Sequence, residues 1–167
     1  HEDNAIYKFG PDSLGLTAPV ADVVSTVYRP GSSVRVLDLC TGSGIQGINA
    51  ALHARAAGLT VDLNLVDINP RSKRFVTANL LMNGLDDVAT WHEGDLFTAL
   101  PDDVTSPHFD VILANPPYWP AHNKLLFHAG GLDGEAVTKK VVSDGTPLLK
   151  ENGLMFIVTP IFNTDKA

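Results

Sequence analysis

Five short apolar runs, each rich in β-branched residues and each separated from the next by a segment of helical spacing, limit what this chain can fold into. The runs are Val34–Leu39, Leu63–Asp67, Val88–Glu93, Phe109–Ala114 and Leu154–Thr159. Buried strands of a parallel sheet read as near-continuous apolar runs, and the crossovers between them are helical. The segments between fit that pattern. Val20, Val23, Val24 and Val27 predict an amphipathic helix starting near Pro19, and Ile45, Ile48 and Leu52 predict a second that stops at Gly58. After the second run, Asn69 is placed to cap a helix with Pro70 in its first turn. Phe75, Ala78, Leu81 and Met82 would be its buried stripe and Asn83-Gly84 its end. A last helical stretch covers Ala136–Val142, with Pro147 ending or kinking it. The expectation is one α/β domain with a doubly wound, mostly parallel sheet. Ligands of such sheets sit beyond the carboxyl ends of the strands.

The chemistry-bearing residues fall at those ends. The first run leads into Asp38-Leu39-Cys40-Thr41-Gly42-Ser43-Gly44. Glycines here permit a sharp turn and close approach of a ligand to the backbone. Gly42, Gly44 and Gly47 satisfy the G-x-G-x-x-G dinucleotide fingerprint, and Asp67 lies 20 residues beyond Gly47, so a nicotinamide or flavin enzyme is a competing reading. Asp38 argues the other way, because a pyrophosphate gains nothing from an anion at the loop, whereas an ammonium group does. The loop also has the form acidic-x-G-x-G-x-G with Cys40 in place of the first glycine, which requires Cys40 to keep an ordinary backbone conformation. Asp67, ending the second run, can accept from both hydroxyls of a ribose, and Ile68 can pack on a nucleobase face. Asp95, in Gly94-Asp95-Leu96-Phe97, is placed to accept from an adenine amino group or, alternatively, to cap the residues that follow.

The fourth run ends in Asn115-Pro116-Pro117-Tyr118. Two prolines fix the backbone and remove two N–H donors, which frees carbonyls of Asn115 and Pro116 to face a cleft. An amide or aromatic amine nitrogen has a delocalised lone pair and is a weak nucleophile. An Asn side-chain carbonyl and a backbone carbonyl can accept its two N–H bonds and favour the charge that develops on nitrogen as it is alkylated. Tyr118 would stack on the planar group, and Trp119 either extends that platform or packs.

With these motifs together, the sequence resembles the small-methyltransferase group of class I enzymes, which includes the release-factor glutamine methyltransferases and several RNA amino-group methyltransferases. The resemblance runs over FGPDSLGL at 9–16, VLDLCTGSG at 36–44, VDINPRS at 66–72, GDLF at 94–97, FDVILANPPY at 109–118 and GGLDGE at 130–135. The last stretch is more similar to the glutamine enzymes. The resemblance implies a Rossmann-like fold and S-adenosyl-L-methionine as cofactor. It implies cofactor contacts from Asp38, Cys40, Thr41, Gly42, Gly44, Asp67, Ile68, Asp95, Leu96 and Asn115, and an acceptor grip from Asn115, Pro116, Pro117 and Tyr118. It brings the FGPDS stretch in beside the cofactor. Family sheets carry seven strands ending in an antiparallel hairpin. The expectation for residues 1–167 is therefore a single catalytic domain lacking that hairpin and cut short at one or both ends. The separate recognition domain of the glutamine enzymes has no room in it.

The formal charge of −7, from 12 Lys+Arg against 19 Asp+Glu, disfavours a nucleic-acid partner, since such binding rests on neutralising phosphates. Arg71, Lys73 and Arg74, and Lys139 with Lys140, read as solvated helix faces. The expected acceptor is a protein glutamine or another amide or amino group. A small metabolite, a nucleobase, a silent cofactor-binding subunit and a dinucleotide oxidoreductase are the rivals. The single cysteine, Cys40, excludes an internal disulfide, and no His pair shows zinc spacing, so no metal is expected. His122 and His128 border the acceptor motif, and His122 is a candidate base, although water can take the proton. No apolar run reaches about 20 residues, the length a membrane helix needs, and a cytoplasmic protein is expected.

Overall fold

The structure, a computed structural model, describes residues 6, 10–104, 108–119 and 134–159. Five strands form one sheet: β1 (Ser33–Leu39), β2 (Thr60–Asp67), β3 (Ala89–Glu93), β4 (Phe109–Ala114) and β5 (Leu149–Ile157). Their order is β3-β2-β1-β4-β5 and every pairing is parallel. The chain winds outwards from β1 in both directions, so the crevice between the ends of β1 and β4 is the topological switch point.

Alternation along the strands divides the core in two. Val34, Val36, Leu63, Leu65, Val111 and Leu113 face α1 (Pro11–Val27), α2 (Ile45–Ala56) and α3 (Ser72–Asn83). Leu37, Leu39, Phe109, Ile112 and Ala114 face the other way, towards α4 (Ala136–Gly145) and the short 3₁₀ helix Leu96–Ala99. The period of two puts Asp38 on the side of Val34 and Val36, beneath α2, and it is fully buried there.

Several expected boundaries move. Helix α1 starts at Pro11, not near Pro19. Pro11 suits the first turn and Pro19 is accommodated inside, at the cost of one N–H. Of the expected valine stripe, Val20 and Val24 are buried while Val27 is exposed. In α2 Leu52 is exposed. The face against the sheet is Gln46, Gly47, Ile48, Ala50, Ala51 and Ala54, because small residues let this helix lie close. The stripe expected to anchor α3 points outwards: Phe75, Leu81 and Met82 are 45%, 59% and 75% exposed. Ser72, Val76 and Leu80 are buried instead. Both sets have helical spacing, and periodicity alone does not choose between two apolar faces. Asn69 does not cap α3. Its Oδ1 accepts the Arg71 N–H at 3.1 Å in a turn that precedes the helix, which begins at Ser72. Gly84 ends α3 in the left-handed region, as expected. Strand β3 begins at Ala89 rather than Val88. Strand β5 begins at Leu149, five residues early, and ends at Ile157. Its pairing with β4 skips from Phe109↔Leu149 to Val111↔Leu154 through an irregularity at Asn152 (φ 63°), so Asn152-Gly153 reads as a turn yet lies within the strand. Pro147 lies in a 3₁₀ turn, Thr146–Leu148, directly after α4.

Candidate active site

Three loops leave the carboxyl ends of β1, β2 and β3 and are tied together by backbone bonds. The Thr41 N–H donates to the Val66 carbonyl at 3.0 Å and the Gly94 N–H to the Asp67 carbonyl at 3.1 Å. The β1 loop is organised by Asp38. Its Oδ2 accepts from Thr41 Oγ1 at 2.5 Å and from the Gly47 N–H at 3.0 Å, while the buried Oδ1 has no protein partner. Gly47 is required by packing. A Cβ there would sit 2.9 Å from Leu65 and 3.0 Å from Asp38 Oδ2, so a side chain would push α2 off the sheet. Cys40 departs from the ordinary backbone expected of it. It has φ 54°, in the left-handed region that favours glycine, at a cost of roughly 1–2 kcal/mol for an L-residue. Burial, then the nearby Asp67, raises its thiol pKa, so it is no thiolate nucleophile at neutral pH.

Asp67 closes the loop from β2. Its Oδ2 accepts the Gly42 N–H at 2.7 Å and its Oδ1 the Asn69 N–H at 2.8 Å, which leaves lone pairs on both oxygens for a ligand. Burial raises the pKa of Asp67. Burial also pushes Asp38 up to about 7, with the neighbouring Asp67 charge adding to it.

The loops surround a cavity of about 310 Å³. Of the residues expected to hold a cofactor, Cys40, Thr41, Gly42, Asp67, Ile68, Asp95, Leu96 and Asn115 line it; Asp38 and Gly44 do not. Gly44 is instead the left-handed N-cap of α2, and Asp38 lies behind the loop it shapes. Asp95 sits at the N-cap position of the 3₁₀ helix Leu96–Ala99 but makes no side-chain capping bond. Pro116, Pro117, Tyr118 and Trp119 form the remaining wall, with the two aromatic rings 6.2 Å apart and tilted by 44°. His122, His128 and Gly130–Asp133 of the GGLDGE stretch lie outside the described residues, as does the chain beyond Thr159.

Sequence reasoning did not single out Asp12. Helix α1 carries it to the same wall, where its Oδ2 accepts from Asn115 Nδ2 at 3.2 Å and from Tyr118 Oη at 3.1 Å. Ser13, buried beside it, also lines the cavity. The Pro11-Asp12 start of a helix was the available signal. Three of the described lining residues are aspartates, and none is lysine or arginine.

The methyltransferase small domain family matches residues 22–165. The chain belongs to that family. A ribosomal protein uL3 glutamine methyltransferase of Bradyrhizobium diazoefficiens is 38% identical to this small-methyltransferase domain over 141 residues, covering 77% of the domain chain and 41% of the relative. A release factor glutamine methyltransferase of Gloeobacter violaceus is 30% identical over 148 residues, covering 81% and 49%. The chain spans half or less of the length of these curated relatives. Among solved structures, the methyltransferase subunit of a type I restriction-modification system from Streptococcus thermophilus superposes with a TM-score of 0.68 at 21% identity, covering 93% of this chain and 35% of that one. A SAM-dependent methyltransferase from Agrobacterium tumefaciens superposes at 0.64 with 20% identity, covering 93% and 47%. At such identities the likeness is one of fold, and the five-stranded parallel sheet agrees with it.

Proposed function

We propose that this domain binds S-adenosyl-L-methionine and transfers its methyl group to a side-chain amide, most specifically a protein glutamine. The carrying observation is the charge of the cavity wall. Asp12, Asp67 and Asp95 line it without a lysine or arginine among the described lining residues, and Asp38 is buried behind it with one oxygen unpartnered. A dinucleotide would bring its pyrophosphate to these carboxylates. A ligand carrying a sulfonium and an ammonium group relieves their mutual repulsion instead.

The residues fit that cofactor. Asp67 has lone pairs for ribose hydroxyls, Ile68, half exposed at 51%, offers an apolar face to the adenine, and Asp95 accepts from its amino group. When bound, the cofactor supplies an electrophilic methyl group on its sulfonium. Asn115 accepts from the acceptor amide and holds its nitrogen in line, Tyr118 backs the planar group, and the Pro116-Pro117 pair keeps this wall rigid. No basic side chain is needed to remove the proton, which leaves to water after transfer.

The choice of glutamine rests on the relatives, whose names specify glutamine in ribosomal protein uL3 and in release factor. Both acceptors imply action in the cytoplasm, and no described helix is long and apolar enough to cross a membrane. Calorimetric titration with S-adenosylmethionine, S-adenosylhomocysteine and NADH tests the cofactor, and labelled methyl transfer to unmethylated uL3 and release factor tests the acceptor. We expect both adenosyl ligands to bind and NADH not to. NADH binding alone would overturn the reading, and adenosyl binding without transfer to either protein would overturn the glutamine assignment.

A further inference from the structure

We infer that Asp12 is a positioning residue that fixes which end of the Asn115 side-chain amide faces the methyl acceptor. The inference rests on the amide-acceptor reading above. A primary amide has two ends of similar shape and opposite hydrogen-bonding character, so position alone does not decide what Asn115 presents to a substrate. An ionised carboxylate only accepts hydrogen bonds. Beside Asp12 Oδ2, at 3.2 Å, the Asn115 amide must turn its NH₂ group to the carboxylate, because the flipped arrangement would set two acceptors against each other.

The same oxygen receives the Tyr118 hydroxyl at 3.1 Å, so one atom holds both ends of the four-residue Asn115–Tyr118 turn. Asp12 lies in the first turn of α1, where the helix dipole favours an anion, and it lines the same cavity as Asn115 and Tyr118. With one N–H of its NH₂ group held by Asp12, the Asn115 amide is fixed in the orientation that turns its carbonyl oxygen away from the carboxylate and makes that oxygen available to a substrate. The site is thereby set to receive an N–H donor, such as a primary amide.

The test compares the wild-type chain with Asp12→Ala and Asp12→Asn. Asparagine at position 12 can present either its oxygen or its NH₂ group, so it tolerates both orientations of Asn115 while preserving shape. Three quantities are read: S-adenosylhomocysteine affinity by calorimetry, solvent exchange of the Asn115 side-chain NH₂ by NMR (assigned through Asn115→Asp), and kcat and KM for methyl transfer to unmethylated uL3. Loss of one charge-assisted hydrogen bond predicts a fall in kcat of about tenfold to a hundredfold in both variants. Cofactor affinity should stay within about threefold, and exchange of the Asn115 NH₂ should quicken at least about tenfold in Asp12→Ala. Unchanged NH₂ exchange, or full kcat in Asp12→Asn, would overturn the assignment. Loss of cofactor affinity with kcat intact would also overturn it and make Asp12 a cofactor contact. If the wild-type chain methylates neither uL3 nor release factor, the glutamine reading fails, and the NMR measurement still decides the role of Asp12.

Discussion

Both ends of the sheet carry carboxylates and treat them in opposite ways. At the amino end, Asp62 pairs with Arg35 at 2.6 Å and Asp110 with Lys150 at 2.7 Å, while Arg35 also reaches His108. Burial, then Arg35, lowers the His108 pKa. At the carboxyl end, Asp38 and Asp67 have hydroxyl and backbone N–H donors, and no salt bridge among the described residues reaches either. The first arrangement neutralises charge; the second supplies hydrogen-bond donors alone and leaves Asp38 Oδ1 without one. The charges of the amino end are balanced within the protein, and on the proposed function a cationic ligand would balance those of the carboxyl end.

That contrast can be broken in three places. Asp67→Ala should have the largest effect. It removes an acceptor of two backbone bonds and of the expected ribose hydroxyls, so S-adenosylhomocysteine affinity should fall by about tenfold to a hundredfold in calorimetry, the equivalent of one or two lost bonds to a charged group. Retained affinity would make Asp67 as purely structural as Asp62.

Asp38→Asn should act next, through pH. With a folded pKa of about 7, above that of an unfolded aspartate, Asp38 favours folding below about pH 4, and its contribution is lost as pH rises through 7. The loss approaches ~1.4 kcal/mol per pH unit between those limits. Denaturant melts from pH 4.5 to 8 should therefore be flatter for Asp38→Asn than for the wild-type chain. A cationic ligand favours the ionised form, so wild-type binding should tighten from pH 6 to pH 8 and release protons, seen as a buffer-dependent heat. Parallel melting curves would show that Asp38 is neutralised as thoroughly as Asp110.

Arg35→Met should matter least. The pair it breaks is partly exposed and worth at most about 1 kcal/mol in a chemical melt, with cofactor affinity unchanged. A larger loss, or any loss of affinity, would mean that the two ends communicate.

The sequence made the strand sequence and the loops legible because β-branched runs, glycines and prolines are local signals. Which face of α3 is buried was not legible, since Val76 and Leu80 are spaced as a helix face just as Phe75, Ala78 and Leu81 are. The start of β5 was hidden by Asn152-Gly153, whose turn chemistry serves an irregularity inside the strand. At the site, the lining loops follow from motif positions along strands whose ends are level. The behaviour of Cys40 could not be read locally, because the glycine conformation is imposed by the surrounding loop. The FGPDS stretch was expected beside the cofactor, and its Asp12 and Ser13 do line the cavity, but the particular role of Asp12 was not legible because its partners are distant in the chain.

The separation between those partners bears on the order in which the site forms. Gly42 and Asp67 meet across 25 residues, whereas Asp12 meets Asn115 across 103 and Tyr118 across 106. Closing the longer loops costs more chain entropy, and on a growing polypeptide it must wait until the whole of β4 and the residues directly after it have been made. The loops after β1 and β2 can therefore come together during synthesis before the Asn115–Tyr118 wall exists. On the proposed function, the groups expected to grip a substrate would be the last of the site to fall into place.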